Sequence, residues 1–161
     1  MPPKNPCHLT RDRAQVVERQ APPRVLFQLV GHGVRDRGNV VEVQVARVFG
    51  EVVSIERIRG LHEQARTNLR SLRMANLRLV FGDGQLGVSQ AAPYDLVIAA
   101  AAGEAIPPAW LEQLTVGGRL IAPVSGPKGQ ALHLVERTGP DRWQLTVLDA
   151  VRFVPLREGT A

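Results

Sequence analysis

The sequence predicts an α/β protein built on an open, mostly parallel, doubly wound sheet that finishes in an antiparallel tail. Three observations predict it. From about residue 40, short apolar or β-branched runs alternate with a segment of helical periodicity. Two of those runs, VVSIE at 52–56 and LRLVFGDG at 77–84, close on an acidic residue, as strands do where they open into a ligand crevice. After GPKG, the segments ALHLVERT and RWQLTVLDAVRFVPL read as two or three longer strands with no room for a helix.

Taken in order, residues 1–39 are expected to form an irregular N-terminal segment. Pro2, Pro3, Pro6, Pro22, Pro23, Gly31, Gly33 and Gly38 punctuate it, and RVLFQLV at 24–30 is its one convincing apolar run. Residues 40–161 are expected to form the sheet domain. There VVSIE is a strand, and Ile58, Leu61, Ala65, Leu69 and Leu72 then make one apolar face of a helix over 58–73. Arg59, Glu63, Arg66, Arg70 and Arg73 fall elsewhere on its wheel, so Leu61, Ala65 and Leu69 are predicted to pack on the sheet. LRLVF is the next strand. YDLVIAAAA at 94–102 is a continuous apolar run, as expected of a strand buried on both faces. A helix fits PPAWLEQL at 107–114, with prolines tolerated in its first turn. VGG at 116–118 turns the chain into the strand RLIAPV at 119–124, and GPD at 139–141 is the turn within the antiparallel tail.

Composition narrows the function classes. A chain of 161 residues, 44% hydrophobic and 22% charged, is one domain's worth of folded protein, and no apolar run approaches the roughly 18 residues of a membrane span. MPPKNPCHLTRDRAQ lacks the apolar stretch of a secretory signal, and a single cysteine forms no internal disulfide, so a cytoplasmic location is expected. The net charge of +5 is concentrated early: eight basic and four acidic side chains fall in residues 1–50, twelve and eleven in 51–161. No basic run interleaves with aromatics, so neither nucleic acid nor membrane is an expected partner, and a monomer is expected. His8, His32, His62 and His133 show no metal-ligand spacing with Cys7 or with one another, and His62 is placed on a helix flank. Gly-x-Ser-x-Gly does not occur. No catalytic residue is assigned.

The residues that could carry chemistry stand at strand ends, where helix N-termini point into the crevice. Glu56 there can accept both hydroxyls of a ribose; it can equally be an acid that complements the dipole of the following helix. Asp83, between Gly82 and Gly84, can accept a hydrogen bond from an exocyclic amine such as that of adenine, or serve a plain turn. An acid closing one strand, a helix of about four turns and Gly-Asp-Gly closing the next strand form the pattern of a nucleoside clamp.

With these segments in place, the stretch from about Val45 onward resembles the C-terminal two-thirds of protein-L-isoaspartate O-methyltransferases, which depend on S-adenosylmethionine. The matching segments are VVSIERI with its helix, NLRLVFGDGQLG, APYDLVIAAAAGEAIPPAWLEQLTVGGRLIAPV and VRFVPL. The resemblance implies a Rossmann-like methyltransferase sheet, with Glu56 on the cofactor ribose, Asp83 and Gly84 on its adenine, and Ala100 to Ala102 near the transferred methyl. It implies methyl transfer to the carboxylate of L-isoaspartyl residues in damaged proteins or peptides, which would be the partners. The first 44 residues depart from the pattern. The nearest glycine cluster is GHGVRDRG at 31–38, within a possible strand, loop and helix, and Gly31 and Gly33 are its candidates for the cofactor loop. Two alternatives stay open: a catalytically inactive member serving as a binding or interaction module, and another small-molecule-binding domain of the same sheet class.

Overall fold

The structure, a computed structural model, describes residues 22–28 and 41–161. The glycine cluster at 31–38, with Gly31 and Gly33, therefore lies outside the described residues, as do Cys7, His8, His32 and nearly all of the segment 1–23 expected to be poorly ordered.

The element order is β1 (Arg24–Gln28), α1 (Val41–Val48), β2 (Glu51–Glu56), α2 (Arg59–Leu69), β3 (Leu77–Phe81), β4 (Tyr94–Ala99), α3 (Pro108–Glu112), β5 (Leu114–Gly126), β6 (Gly129–Gly139) and β7 (Arg142–Val151). One seven-stranded sheet runs in the order β3-β2-β1-β4-β5-β6-β7. Strands β1 to β5 are parallel, and β6 and β7 extend the sheet antiparallel. Connections leave β1 toward β3 on one side and β4 toward β5 on the other, so the winding reverses between β1 and β4. Crevices of such sheets open at that reversal, beyond the carboxyl ends of the strands.

Strand β1 comes from the segment expected to be irregular, and it lies near the middle of the sheet. Val25, Leu26 and Phe27 are all buried, so a run of five residues meets the demand of a strand covered on both faces. The preceding prolines do not interrupt pairing: the Pro23 carbonyl accepts the Gly50 and Glu51 amides, and a proline just before a strand forfeits no ladder donor. The apolar strands divide by parity into two buried clusters. Val25, Phe27 and Val52 pack beneath Ala46 of α1, while Leu26, Val53, Ile55 and Val97 join Tyr94, Trp110 of α3 and Leu120 on the other face. Asn76 ties α1 to the entry of β3 by donating to the carbonyls of Ala46, at 2.6 Å, and Phe49, at 3.1 Å.

Three elements differ from their expected form. In α2 the buried residues are His62 and Ala65, with Leu61 and Leu69 only half-buried; His62, expected on a flank, faces inward. Its ring lies 5.9 Å from that of Phe81 in a tilted aromatic pair, and the Arg59 guanidinium covers the same phenyl ring at 4.3 Å. The helical hydrogen bonding also tightens into a 3₁₀ turn at Arg70–Leu72. The VGG turn is a kink inside β5: pairing with β4 slips between Tyr94 and Leu96, Gly117 adopts φ +85°, and a Cβ on Gly118 would meet the Thr115 and Tyr94 carbonyls at 2.9 and 3.0 Å. Helix α3 is shorter than the apolar pattern suggested, ending at Glu112.

The packing of α2 gives a direct test. Ala65→Asp would bury a carboxylate on the one α2 position that faces the sheet with a small apolar side chain, and should cost on the order of 3 kcal/mol or more. Leu69→Asp, at a half-buried site, should cost less. Denaturant unfolding of the two variants checks the order, and a larger loss at Leu69 would contradict it.

Candidate functional site

The carboxyl ends of β2 and β3 are adjacent. Glu56 is the register partner of Phe81, and the Gly82 amide donates to the Glu56 carbonyl at 3.0 Å, which sets Asp83 just beyond. The Glu56 side chain is buried, and its Oε1 accepts the Ile58 amide at 2.7 Å, just before the start of α2. Asp83 caps the 3₁₀ turn Gly84–Leu86, its Oδ1 accepting the Gln85 amide at 2.9 Å; its Oδ2 accepts the Gly159 amide at 2.7 Å. Gly84 is buried at the start of that turn. Ala100 stands one residue past β4, half-buried against the Val25, Phe27, Ala46 and Val52 cluster. Two carboxylates thus stand at neighbouring strand ends, on the β2–β3 side of the winding reversal. Each is oriented by backbone amides, and a carboxylate has about four lone-pair sites, so neither is saturated by these bonds.

The Gly-Asp-Gly loop is held from below by three side chains that the motif reading did not single out. Trp110 Nε1 donates to the Gly84 carbonyl at 2.8 Å. The Gln113 amide donates to the Leu86 carbonyl at 2.9 Å and accepts the Val88 amide at 3.0 Å. Tyr94 donates its hydroxyl to the Val88 carbonyl at 2.8 Å. Gly87, at φ +62°, lies so close to the Gln113 amide that any Cβ would overlap it. A loop with so many buried polar bonds holds one conformation, which a binding surface requires. A polar residue within an otherwise apolar helix or strand was the available signal for Trp110, Gln113 and Tyr94.

Burial pushes the Tyr94 hydroxyl up to about 12, desolvation outweighing the nearby charges. Tyr94 is the chain's only tyrosine, so its ionisation can be read alone in near-ultraviolet absorbance. The native protein should show tyrosinate with a midpoint near 12 and the unfolded chain near the ordinary value of about 10. Because the raised value belongs to the folded state, its stabilising effect is complete below pH 10. It is lost as pH climbs toward 12, by on the order of 2–3 kcal/mol. A native midpoint at the unfolded value would contradict the buried bond to Val88.

Beyond β7 the chain returns across the strand ends. The Ala102 amide donates to the Val154 carbonyl and the Leu156 amide to the Ala102 carbonyl, both at 2.8 Å. Between this returning segment, the loop after β4 and the end of β5 lies a cleft of about 790 Å³, lined by Arg57, Gln85, Glu104, Ser125, Leu156 and Arg157. Its walls are the chain neighbours of the candidate residues: Arg57 follows Glu56 and Gln85 follows Gly84. A second depression, also of about 790 Å³, is lined by Arg66, Arg73, Met74 and Leu77 at the opposite, amino end of β3, where a parallel sheet does not hold its ligand. Among the described residues no group of three or more His, Cys, Asp or Glu is placed to hold a metal, and no helix is long and apolar enough to cross a membrane.

The family model described as protein-L-isoaspartate(D-aspartate) O-methyltransferase matches residues 15–161. The chain is 52% identical over 155 residues to a protein-L-isoaspartate O-methyltransferase of Bordetella parapertussis, covering 96% of this chain and 57% of that protein. It is 57% identical over 113 residues to one from Janthinobacterium sp. (strain Marseille), covering 70% and 38%. The chain thus spans about half the length, or less, of these curated relatives. A solved protein-L-isoaspartate O-methyltransferase superposes with a TM-score of 0.72 at 30% identity, over 83% of this chain and 41% of that one. A Plasmodium falciparum structure, described as a putative member in complex with S-adenosyl-L-homocysteine, shares the fold with a TM-score of 0.70 at 18% identity, over 84% and 66%.

Proposed function

The chain belongs to the protein-L-isoaspartate O-methyltransferase family, and from that premise we propose that it transfers methyl from S-adenosylmethionine to the side-chain carboxylate of L-isoaspartyl residues in damaged proteins. The observation that carries the reading is the pair of carboxylates, Glu56 and Asp83, at the carboxyl ends of the adjacent parallel strands β2 and β3, on one side of the winding reversal. That pair fits the cofactor's chemistry. A ribose offers two hydroxyl donors to one acid, and adenine offers an exocyclic amine to the other.

On this reading Glu56 holds the ribose hydroxyls, Asp83 and Gly84 hold the adenine, and Ala100, with its small side chain, lets the cofactor approach the backbone past β4. Gly31 and Gly33, between β1 and α1 in sequence, are the candidates for the loop beneath it. Residues 40–161 together with β1 make up the cofactor-binding domain. The bound cofactor supplies an electron-poor methyl on sulfonium sulfur. An isoaspartyl carboxylate is ionised and nucleophilic near neutral pH, so the chain has no need to supply a strong base. What its residues contribute is position: the clamp at the ends of β2 and β3 fixes one partner, and the cleft lined by Arg57, Glu104 and Ser125 receives the other. The reading takes the chain as a monomer of the cytoplasm acting on protein substrates, with no role for nucleic acid or membrane.

Labelled methyl transfer to a peptide with a single L-isoaspartyl residue tests this, with the ordinary aspartyl isomer as control. Base-labile label in the isoaspartyl peptide alone is the expected result. No label, or equal label in both isomers, would overturn the reading.

A further inference from the structure

The segment that follows β7 does more than border the cleft. Gly159 donates its amide to Asp83 Oδ2 at 2.7 Å, opposite the Gln85 amide on Oδ1 at 2.9 Å, so the carboxylate is held from both sides by backbone donors. Gly159 is kept there by Arg57. The guanidinium donates through Nε to the Gly159 carbonyl at 2.9 Å and through Nη2 to the Glu158 carbonyl at 3.3 Å. The backbone seals the same junction: the Ala161 amide donates to the Arg57 carbonyl at 2.9 Å, and the Arg59 amide to the Ala161 carbonyl at 2.7 Å.

We infer that Arg57, acting through Glu158 and Gly159, is a positioning residue for adenine recognition: it fastens the returning segment so that Gly159 fixes the plane of the Asp83 carboxylate. The inference rests on the reading of Asp83 as the adenine acceptor. Its physical content is preorganisation. A carboxylate bonded on one oxygen only can swing about its terminal torsion, which is broad, and must be ordered again when a ligand amine arrives. With one amide on each oxygen that ordering is complete beforehand, and about two lone-pair sites remain for the amine. Arg57 is the chain neighbour of Glu56, so one dipeptide at the end of β2 serves both halves of a nucleoside.

Gly159 offers a second handle. It adopts φ +67° with nothing within 4 Å of a would-be Cβ, so Gly159→Ala opposes the segment's conformation without a clash. The experiment is calorimetric titration of S-adenosylhomocysteine and of S-inosylhomocysteine, which lacks the exocyclic amine. The proteins are wild type, Arg57→Gln, Gly159→Ala, Asp83→Ala and the Arg57→Gln/Asp83→Ala double variant, with thermal melts as folding controls. Arg57→Gln and Gly159→Ala should each weaken the adenosyl ligand by roughly three- to tenfold. The inosyl ligand should bind the two variants as it binds wild type. In the Asp83→Ala background, Arg57→Gln should have no further effect.

Equal weakening of both ligands would make Arg57 a merely structural residue and overturn the inference. Unchanged or tighter adenosyl binding would overturn it too, the latter identifying the segment as a competitor. A wild type that takes neither ligand would remove the reading of the site itself, and the inference with it.

Discussion

Trp110→Ala should cost about 3–5 kcal/mol of folding stability, the range for deleting a large buried aromatic. Trp110 is 2% exposed, and it packs in the cluster that includes Leu26, Val53, Ile55, Val97 and Leu120. Alanine leaves a cavity beneath the sheet and also strips the Gly84 carbonyl of its donor. Trp110→Phe separates the two losses. The phenyl ring keeps most of the volume, while the carbonyl loses its partner, so a cost of about 1–3 kcal/mol is expected. Both variants should weaken cofactor binding, since the Gly-Asp-Gly loop loses a support. Denaturant unfolding gives the first pair of numbers and ligand titration the second. A phenylalanine variant as stable and as tight as wild type would show that the indole bond does not organise the loop.

Asp83→Ala should lower cofactor affinity by roughly 10- to 150-fold, the equivalent of one charge-assisted hydrogen bond worth about 1.5–3 kcal/mol. Glu56→Ala should have a comparable effect through the ribose hydroxyls. Neither variant should unfold. Each removes a strand-end carboxylate whose partners among the described residues are backbone amides, Ile58 for Glu56, and Gln85 and the distant Gly159 for Asp83, and none is a buried ion pair. Thermal melts within a few degrees of wild type, beside a large loss of affinity, would assign the two acids to binding rather than to architecture. A large stability loss with affinity preserved would reverse the assignment.

The parts of this site that could be read from the sequence are those whose physics is local. VVSIE and YDLVIAAAA announce strands because a parallel strand covered on both faces needs consecutive apolar residues; β2 takes in the whole first run, while β4 ends at Ala99, before the last three alanines of the second. Glu56 and Asp83 were identifiable because chain order alone puts them at strand ends. Strand β1 was harder to see. Its RVLFQ is short and flanked by Pro22 and Pro23, and only pairing with β2 and β4 on either side shows why five residues suffice. On α2 Ala65 is buried as the spacing predicted, but His62 is buried where Leu61 was expected, because helical spacing ranks leucine above histidine while the Phe81 ring on β3 lies against the imidazole. The supports of the loop were invisible for a similar reason. Trp110 and Gln113 lie 26 and 27 residues from the carbonyls they bind, and Gly159 lies 76 from Asp83. Pairings at such separations follow from the assembled sheet, not from any window of sequence.

On the proposed function, the ends of β2 and β3 hold the adenosyl part of S-adenosylmethionine through Glu56 and Asp83. Calorimetric titration of the cofactor onto wild type, Glu56→Ala and Asp83→Ala tests it most directly. Saturable binding of one cofactor per chain is expected, weakened by at least roughly tenfold in each variant while the fold stays intact. No heat at high micromolar cofactor, or tight binding indifferent to both substitutions, would contradict it.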